Sequence, residues 1–322
     1  MRIVMTGAGG LIGRGVTAIL AKRSTLGGER ITELVLSDIH TPPEPAAAEF
    51  AVRRVDCDVR DAPQVHSLIS GRVDVVFHLA AIMSGAAERD YELGWKINLD
   101  GTRNVLEACR ALPFAPKLIF TSTIALYGEN RPGPIADACA IYPRNAYGTQ
   151  KAIAEMLIAD YSRRGYVDGR MVRIAHVAIR SDDTHQGAGA FVTAIVRGPL
   201  MRRDTVCPVE PDTRLGFITP RTVFASLLHL AELPIEDFND RRAIQLPAQT
   251  LRVAQILEGV RRAAGEEALA RIRFKRDPEL EGLLAGMPAE FDARRAHELG
   301  FPITPDIDGA IEQYLEDTAA EA

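Results

Sequence analysis

Tyr147 and Lys151 stand four residues apart in a stretch of helical character, so their side chains share one helix face. A free tyrosine titrates near ~10 and is a poor base at neutral pH. A neighbouring ammonium favours the phenolate, and Lys151 carries one. Such a pair accepts the proton of an alcohol, although Tyr-x-x-x-Lys on its own also occurs on plain amphipathic surfaces. The third group is Thr123, which closes the apolar run Lys117–Ser122. A hydroxyl there can hydrogen-bond the reacting oxygen and stabilise developing alkoxide charge. A threonine at a strand end is also explained by β-propensity alone; the three residues together, in this order, point to proton transfer at a hydroxyl-bearing carbon.

The chemistry needs an acceptor for the accompanying hydride, and the N-terminus supplies a place for one. Thr6-Gly7-Ala8-Gly9-Gly10-Leu11-Ile12-Gly13 joins an expected strand to an expected helix. Gly7, Gly10 and Gly13 allow a sharp turn, close approach of backbone to a pyrophosphate, and tight packing of helix on sheet. The helix beginning near Leu11 and Ile12 offers free N–H groups and the positive end of its dipole. Asp38 ends the second expected strand, where a carboxylate accepts hydrogen bonds from an adenosine ribose and repels a 2′-phosphate; NAD is therefore expected over NADP. Asp58-Val59 follows the third strand, in place for the adenine amino group, with Asp56 and Asp61 as solvated neighbours.

The elements that must position these groups are legible in outline. Continuous apolar runs at Arg2–Thr6, Glu33–Ser37, Ala51–Val55, Val73–His78, Lys117–Ser122 and Arg170–Ile174 predict parallel strands covered by helices on both faces. Helices are expected over Leu11–Lys22, Ala62–Ser70, Tyr91–Leu112 and Ala146–Arg164. The fold class is α/β, a doubly wound parallel Rossmann sheet with a smaller C-terminal substrate lobe. Residues 1–180 form the expected dinucleotide-binding domain, with 212–246 returning to it through a helix at Thr222–Glu232 and a late strand at Ala243–Leu246. The expected substrate lobe is 181–211 and 247–322, with a loop at Ser181–Gly189, helices near Val253–Ala264 and Asp308–Asp317, and a charged segment at Arg271–Asp277.

At 322 residues the chain buries a sizeable core, and 47% hydrophobic with 25% charged residues argues against disorder. A formal net charge of −5 gives no general attraction to nucleic acid or anionic membrane. No stretch approaches the roughly 20 apolar residues that span a bilayer, and no signal-peptide pattern precedes the first strand. Cys57, Cys109, Cys139 and Cys207 lack metal-ligand spacing, so no metal site is expected and reduced cysteines in a cytoplasmic enzyme are the default.

Taken in order, the glycine turn, Asp58-Val59, His78-Leu79-Ala80-Ala81, Asn98-Leu99-Asp100-Gly101-Thr102, Thr123 with Leu126-Tyr127-Gly128, and Tyr147-x-x-x-Lys151 resemble the extended short-chain dehydrogenase/reductase family over essentially the whole chain. The resemblance implies Thr123, Tyr147 and Lys151 as catalytic hydroxyl, base and lysine, and Asn98 as their supporting asparagine. It implies Leu79, Ala80 and Ala81 along the cofactor channel, and a homodimer formed through two helices per subunit. Within the family, Ala81–Glu88, Tyr147–Ile153, Asp160–Gly165 and Cys207-Pro208-Val209 are similar to the D-erythronate dehydrogenase group, which oxidises small polyhydroxy acids with NAD. Ala175-His176, Ser181-Asp182 and Gly216 depart from that group's Pro-Thr, Pro-Gly and Trp, all in the substrate-facing half.

A small acid calls for a bidentate arginine. Arg173, Arg180 and Arg214 are the candidates, with Ser84 and His176 as hydrogen-bonding groups. Each arginine taken alone also reads as a structural or solvated charge, and His176 as a core histidine. Arg214 comes first, because the resemblance implies an anion-binding arginine there. The rival enzyme reading is a nucleoside-diphosphate-sugar epimerase or dehydratase that keeps NAD bound. Against it, Arg173-Ile174-Ala175-His176 lacks the asparagine, and Thr219-Pro220-Arg221-Thr222 the His-Val-x-Asp pattern, of such relatives. A non-catalytic dinucleotide-binding regulator is a third reading, disfavoured by the tyrosine–lysine pair beside Thr123.

Overall fold

Seven apolar runs become strands of one sheet: β1 (Arg2–Thr6), β2 (Glu33–Asp38), β3 (Ala51–Asp56), β4 (Val75–His78), β5 (Lys117–Thr123), β6 (Asp168–Ile174) and β7 (Ala243–Gln245). This is a computed structural model; the described residues are 1–46, 48–128, 133–181, 187–238 and 241–321, the side chains of 320 and 321 excepted. The strands lie in the order β3-β2-β1-β4-β5-β6-β7, and every neighbouring pair is parallel. The order reverses between β1 and β4, which opens a crevice outside their carboxyl ends, the place where doubly wound sheets bind ligands.

The inner strands are apolar on both faces because both faces are covered: Ile3, Val4, Met5, Leu34, Val35, Val75, Val76, Phe77, Leu118 and Ile119 are all buried. The edge strand β3 departs from the expectation of burial on both faces. Arg53 and Arg54 point to solvent, and charges along an open edge discourage pairing with another chain.

The first helix, α1 (Leu11–Arg23), packs against α4 (Pro220–Glu232) so closely that a Cβ on Gly15 would fall 2.2 Å from the Phe224 ring. Two further helices matter for the site, α2 (Ala146–Arg163) and α3 (Ala190–Leu200). The single helix expected over Tyr91–Leu112 is instead three pieces: an α turn at Tyr91–Gly94, a π turn at Trp95–Asp100, and an α-helix at Gly101–Arg110. A π turn carries one extra residue and shifts the inward face. Its reason is tertiary, since Asn98 inside it is fully buried and hydrogen-bonded across the chain, as described below.

Segment 212–246 divides. Helix α4 and strand β7 join the large sheet, whereas Arg214–Ile218 lies in a separate three-stranded sheet, antiparallel to Gln249–Arg252 and parallel to His176–Val177. The charged segment at Arg271–Asp277 contains a short strand, Ile272–Phe274, paired with Thr205–Cys207. Helix α3 was not foreseen. Of the loop expected at Ser181–Gly189, residues 182–186 (with Asp182) lie outside the described residues, and Gly187–Gly189 lead into α3. Among the described residues, no helix is long and apolar enough to cross a membrane.

Candidate active site

A cavity of about 430 Å³ lies at the carboxyl ends of the central strands. One end is the glycine turn. Gly7 has φ +74, and a Cβ there would sit 2.5 Å from the backbone nitrogen of Ala80; a Cβ on Gly13 would sit 2.4 Å from the Gly7 carbonyl oxygen. No side chain caps α1 at Gly10, and no acidic residue occupies its first turn, so the positive helix end faces the cavity. Gly7, Gly10, Leu11, Ile12, Gly13, Leu79 and Ala81 line this end. Asp38 lies beside it at the end of β2, where its carboxylate accepts hydrogen bonds from the backbone N–H groups of Gly9 (2.9 Å) and Ile39 (2.8 Å). A diphosphate on bare backbone with a ribose near a carboxylate is the chemistry this end fits, and these residues suit a nicotinamide dinucleotide.

Asp58 is otherwise engaged. Both its oxygens take hydrogen bonds from Arg60, which holds its carboxyl below the usual carboxylate range. Its backbone N–H donates to Gln64 at 3.0 Å, and Val59 is buried against Gly101. Neither residue lines the cavity.

The middle of the cavity brings together Thr123 and Tyr147. Thr123 closes β5, and its Oγ1 accepts a hydrogen bond from the N–H of Ala125 at 3.2 Å. The start of α2 is fixed from two sides: Asn145 accepts from the N–H of Gly148 at 2.7 Å, and Glu88 from that of Ala146 at 2.8 Å. A Cβ on Gly148 would stand 2.4 Å from the Ala125 carbonyl oxygen, so glycine lets this helix press onto the turn after β5. That contact carries Tyr147 to Thr123. Burial pushes the Tyr147 phenol well above its ordinary value.

Lys151 lies beneath, fully buried, outside the cavity lining. Its ammonium donates to the Thr121 carbonyl at 2.9 Å and sits 4.3 Å from the centre of the Phe120 ring and 5.8 Å from that of Tyr147. Burial pulls its pKa down to about 7, against the opposing pull of Glu155.

Asn98 clamps the wall of the cavity. Its Oδ1 accepts from the N–H of Ile82 (2.9 Å), and its Nδ2 donates to the Ile82 carbonyl (3.1 Å) and to Gln150 (2.8 Å). Behind it runs a buried chain to which sequence reasoning assigned no role. Thr102 donates to the Asn98 carbonyl, so Nε2 of His78 donates to Thr102 (3.0 Å) and Nδ1 accepts from Thr6 (2.7 Å). Burial, then the nearby Lys151, pushes His78 down to about 3, so it stays neutral.

The far end is lined by Ser84, His176 and Arg180. Burial pulls His176 down to about 4. Arg180 follows Ile179, a β-branched residue at φ +61, whose N–H donates to Thr193 of α3 at 3.0 Å. Among the described residues, Arg180 is the arginine of the cavity lining; Arg214, expected first, and Arg173 stand elsewhere. Arg214 sits half exposed in an ion pair with Glu290. Arg173 is buried, with Nε and Nη2 on Glu155 and Nη1 donating to Tyr127 (2.9 Å) and the Asp137 carbonyl (3.0 Å). Met287, Ile82 and Gly187–Gly189 also line the cavity; as apolar or glycine residues they carry no chemical signature in the sequence.

A family model described as "NAD dependent epimerase/dehydratase family" matches residues 3–207. The chain belongs to that family. D-erythronate dehydrogenase of Cupriavidus necator is 37% identical over 98% of this chain and 98% of its own length. D-erythronate dehydrogenase of Haemophilus influenzae is 36% identical over 98% and 99%. A crystal structure titled the nucleoside-diphosphate-sugar epimerase from Agrobacterium tumefaciens superposes with a TM-score of 0.95 at 36% identity, covering 100% of this chain and 95% of that one. As a member of the epimerase/dehydratase family with these relatives, the chain is a dehydrogenase that depends on a nicotinamide dinucleotide.

Proposed function

We propose that the enzyme oxidises a secondary hydroxyl of a small polyhydroxy acid of the D-erythronate class, with NAD as its cofactor. The observation that carries this reading is that Tyr147, Thr123 and Arg180 line the same cavity as the glycine turn. The acid's carboxylate pairs with Arg180, and Ser84 and His176 hydrogen-bond its hydroxyls. The hydroxyl to be oxidised lies between Thr123 and Tyr147. When bound, oxidised nicotinamide supplies the hydride acceptor and a positive charge beside the phenol. Tyr147 holds its proton in the resting chain, since burial disfavours phenolate. Protonated Lys151 beneath the ring favours loss of that proton to solvent, and the Tyr147 phenolate then takes up the substrate's hydroxyl proton. Asn98 acts through Ile82, holding the wall that leads to Ser84. Asp38 favours NAD over NADP because a 2′-phosphate would meet its carboxylate.

Asp58 would meet the adenine amino group only after leaving Arg60, and Val59 packs behind it. Exposed Met156 on α2 is in keeping with a homodimer, to be tested by the mass in solution. A cytoplasmic enzyme with reduced cysteines completes the reading.

The test is direct. With NAD and D-erythronate, NADH accumulates and its near-ultraviolet absorbance rises. Tyr147→Phe loses roughly 100- to 10,000-fold of that rate while still binding NADH. Most activity surviving in this variant would place the base elsewhere. Conversion of a nucleotide sugar with no net absorbance change would favour a nucleoside-diphosphate-sugar epimerase, as the Agrobacterium relative is named.

A further inference from the structure

The wall opposite the glycine turn contains one side chain from the last fifty residues of the chain, Met287, buried and facing the cavity. It belongs to the same apolar cluster as Tyr147, Ile179 and Phe191. The backbone that follows it is unusually well tethered for a segment without regular structure. Thr250 donates its hydroxyl to the Ala289 carbonyl at 2.7 Å. Ile135 donates its N–H to the Glu290 carbonyl (2.9 Å) and accepts from the N–H of Asp292 (2.8 Å), a bridge of parallel type. Glu290 also pairs with Arg214. Phe291 lies over Gly216, where a Cβ would come within 2.3 Å of its ring.

We infer that residues 287–292 form a fixed strap that limits the length of the substrate, with Met287 as a specificity-determining residue; the inference rests on the acid-oxidising reading above. An acid held at Arg180 with its reacting hydroxyl at Tyr147 sends its remaining carbons toward the apolar wall. A thioether offers no strong hydrogen bond, so each additional CHOH group placed against it loses water without compensation. Methionine yields to shape by turning its own side chain, within the reach that its backbone position allows. Here the tethers to Ile135, Thr250 and Gly216 hold the backbone in place. The site therefore takes short sugar acids and rejects longer ones, and Arg214 acts on specificity through the strap, not by touching the substrate.

The experiment compares kcat/KM for four-, five- and six-carbon aldonic acids in the intact enzyme, with NAD saturating. Met287→Ala raises the ratio of six- to four-carbon kcat/KM by roughly tenfold or more, the scale of pocket-size discrimination. Glu290→Gln, outside the cavity, releases one tether and raises the same ratio by a smaller factor with KM for NAD unchanged. It keeps the test decisive if the alanine variant does not fold. An unchanged ratio in a folded Met287→Ala, or in Glu290→Gln where that alone folds, overturns the strap while leaving the acid-oxidising reading intact. Wild-type enzyme that reduces NAD with no acid of the series overturns that reading and the strap with it.

Discussion

The two ends of the cavity are built by different means. The end that fits a dinucleotide comes from the turn at residues 7–13 and from the ends of β2 and β4, and is fixed largely by backbone geometry. The opposite end collects Ser84, His176, Arg180 and Met287 from separate elements and is walled by their side chains. Backbone cradles tolerate no added atoms, whereas walls of side chains can be exchanged piece by piece. Substitution should therefore be all-or-none at the first end and graded at the second.

The sharpest way to break this contrast is Gly13→Ala. Its methyl would stand 2.4 Å from the Gly7 carbonyl oxygen, with only backbone to give way. We expect a loss of about 1–3 kcal/mol in stability and near-complete loss of cofactor binding, read by thermal unfolding and NADH fluorescence titration. Normal NADH affinity would mean that the turn is not the cradle. At the other end, Arg180→Gln should raise KM for the acid by roughly 10- to 150-fold, as loss of a charge-assisted hydrogen bond predicts, with KM for NAD unaltered. Arg214→Gln should change KM for D-erythronate less than Arg180→Gln does; the reverse ranking would restore Arg214 as the clamp.

Asp38→Ala tests whether a side chain at the backbone-built end behaves in the graded way. It should narrow the preference for NAD over NADP by about tenfold, the scale of one such hydrogen bond. An unchanged preference in steady-state kinetics would remove the ribose contact. The smallest effect expected is on pH dependence. His176 is held down to about 4 from an ordinary 6.5, so the unfolded chain binds its proton first as pH falls. Its stabilising contribution is complete above 6.5 and is lost as pH falls toward about 4. His176→Gln should flatten the decline of Tm across that window; His78, held lower still between Thr6 and Thr102, should keep the remaining slope. A Tm profile that the substitution leaves untouched would place His176 in water.

Much of the molecule was legible because its signals are local. The six strands of the first half, helix α1, the start of α2 and the return strand β7 follow from apolar runs and caps within a few residues of each other. The spacing of Tyr147 and Lys151, the position of Thr123 at a strand end, and the glycine turn needed no partner to be read. The helix over Tyr91–Leu112 went wrong at its centre because a π turn is dictated by the distant clients of Asn98, Ile82 and Gln150. Helix α3, with Gly198 and Pro199 in its last turn, and the three-residue strand inside Arg271–Asp277 were hidden because breaker residues mask the one and shortness the other.

The sequence alone determined the family, the glycine turn and the order of Thr123, Tyr147 and Lys151, because those depend on backbone freedom and helical or strand spacing over short stretches. Only the tertiary structure decided which arginine faces the cavity and what closes it. Arg180 is presented by a strained Ile179 tied to Thr193, whereas Arg214 meets Glu290, 76 residues further along the chain. A charge written in the sequence has no address until distant strands pair around it.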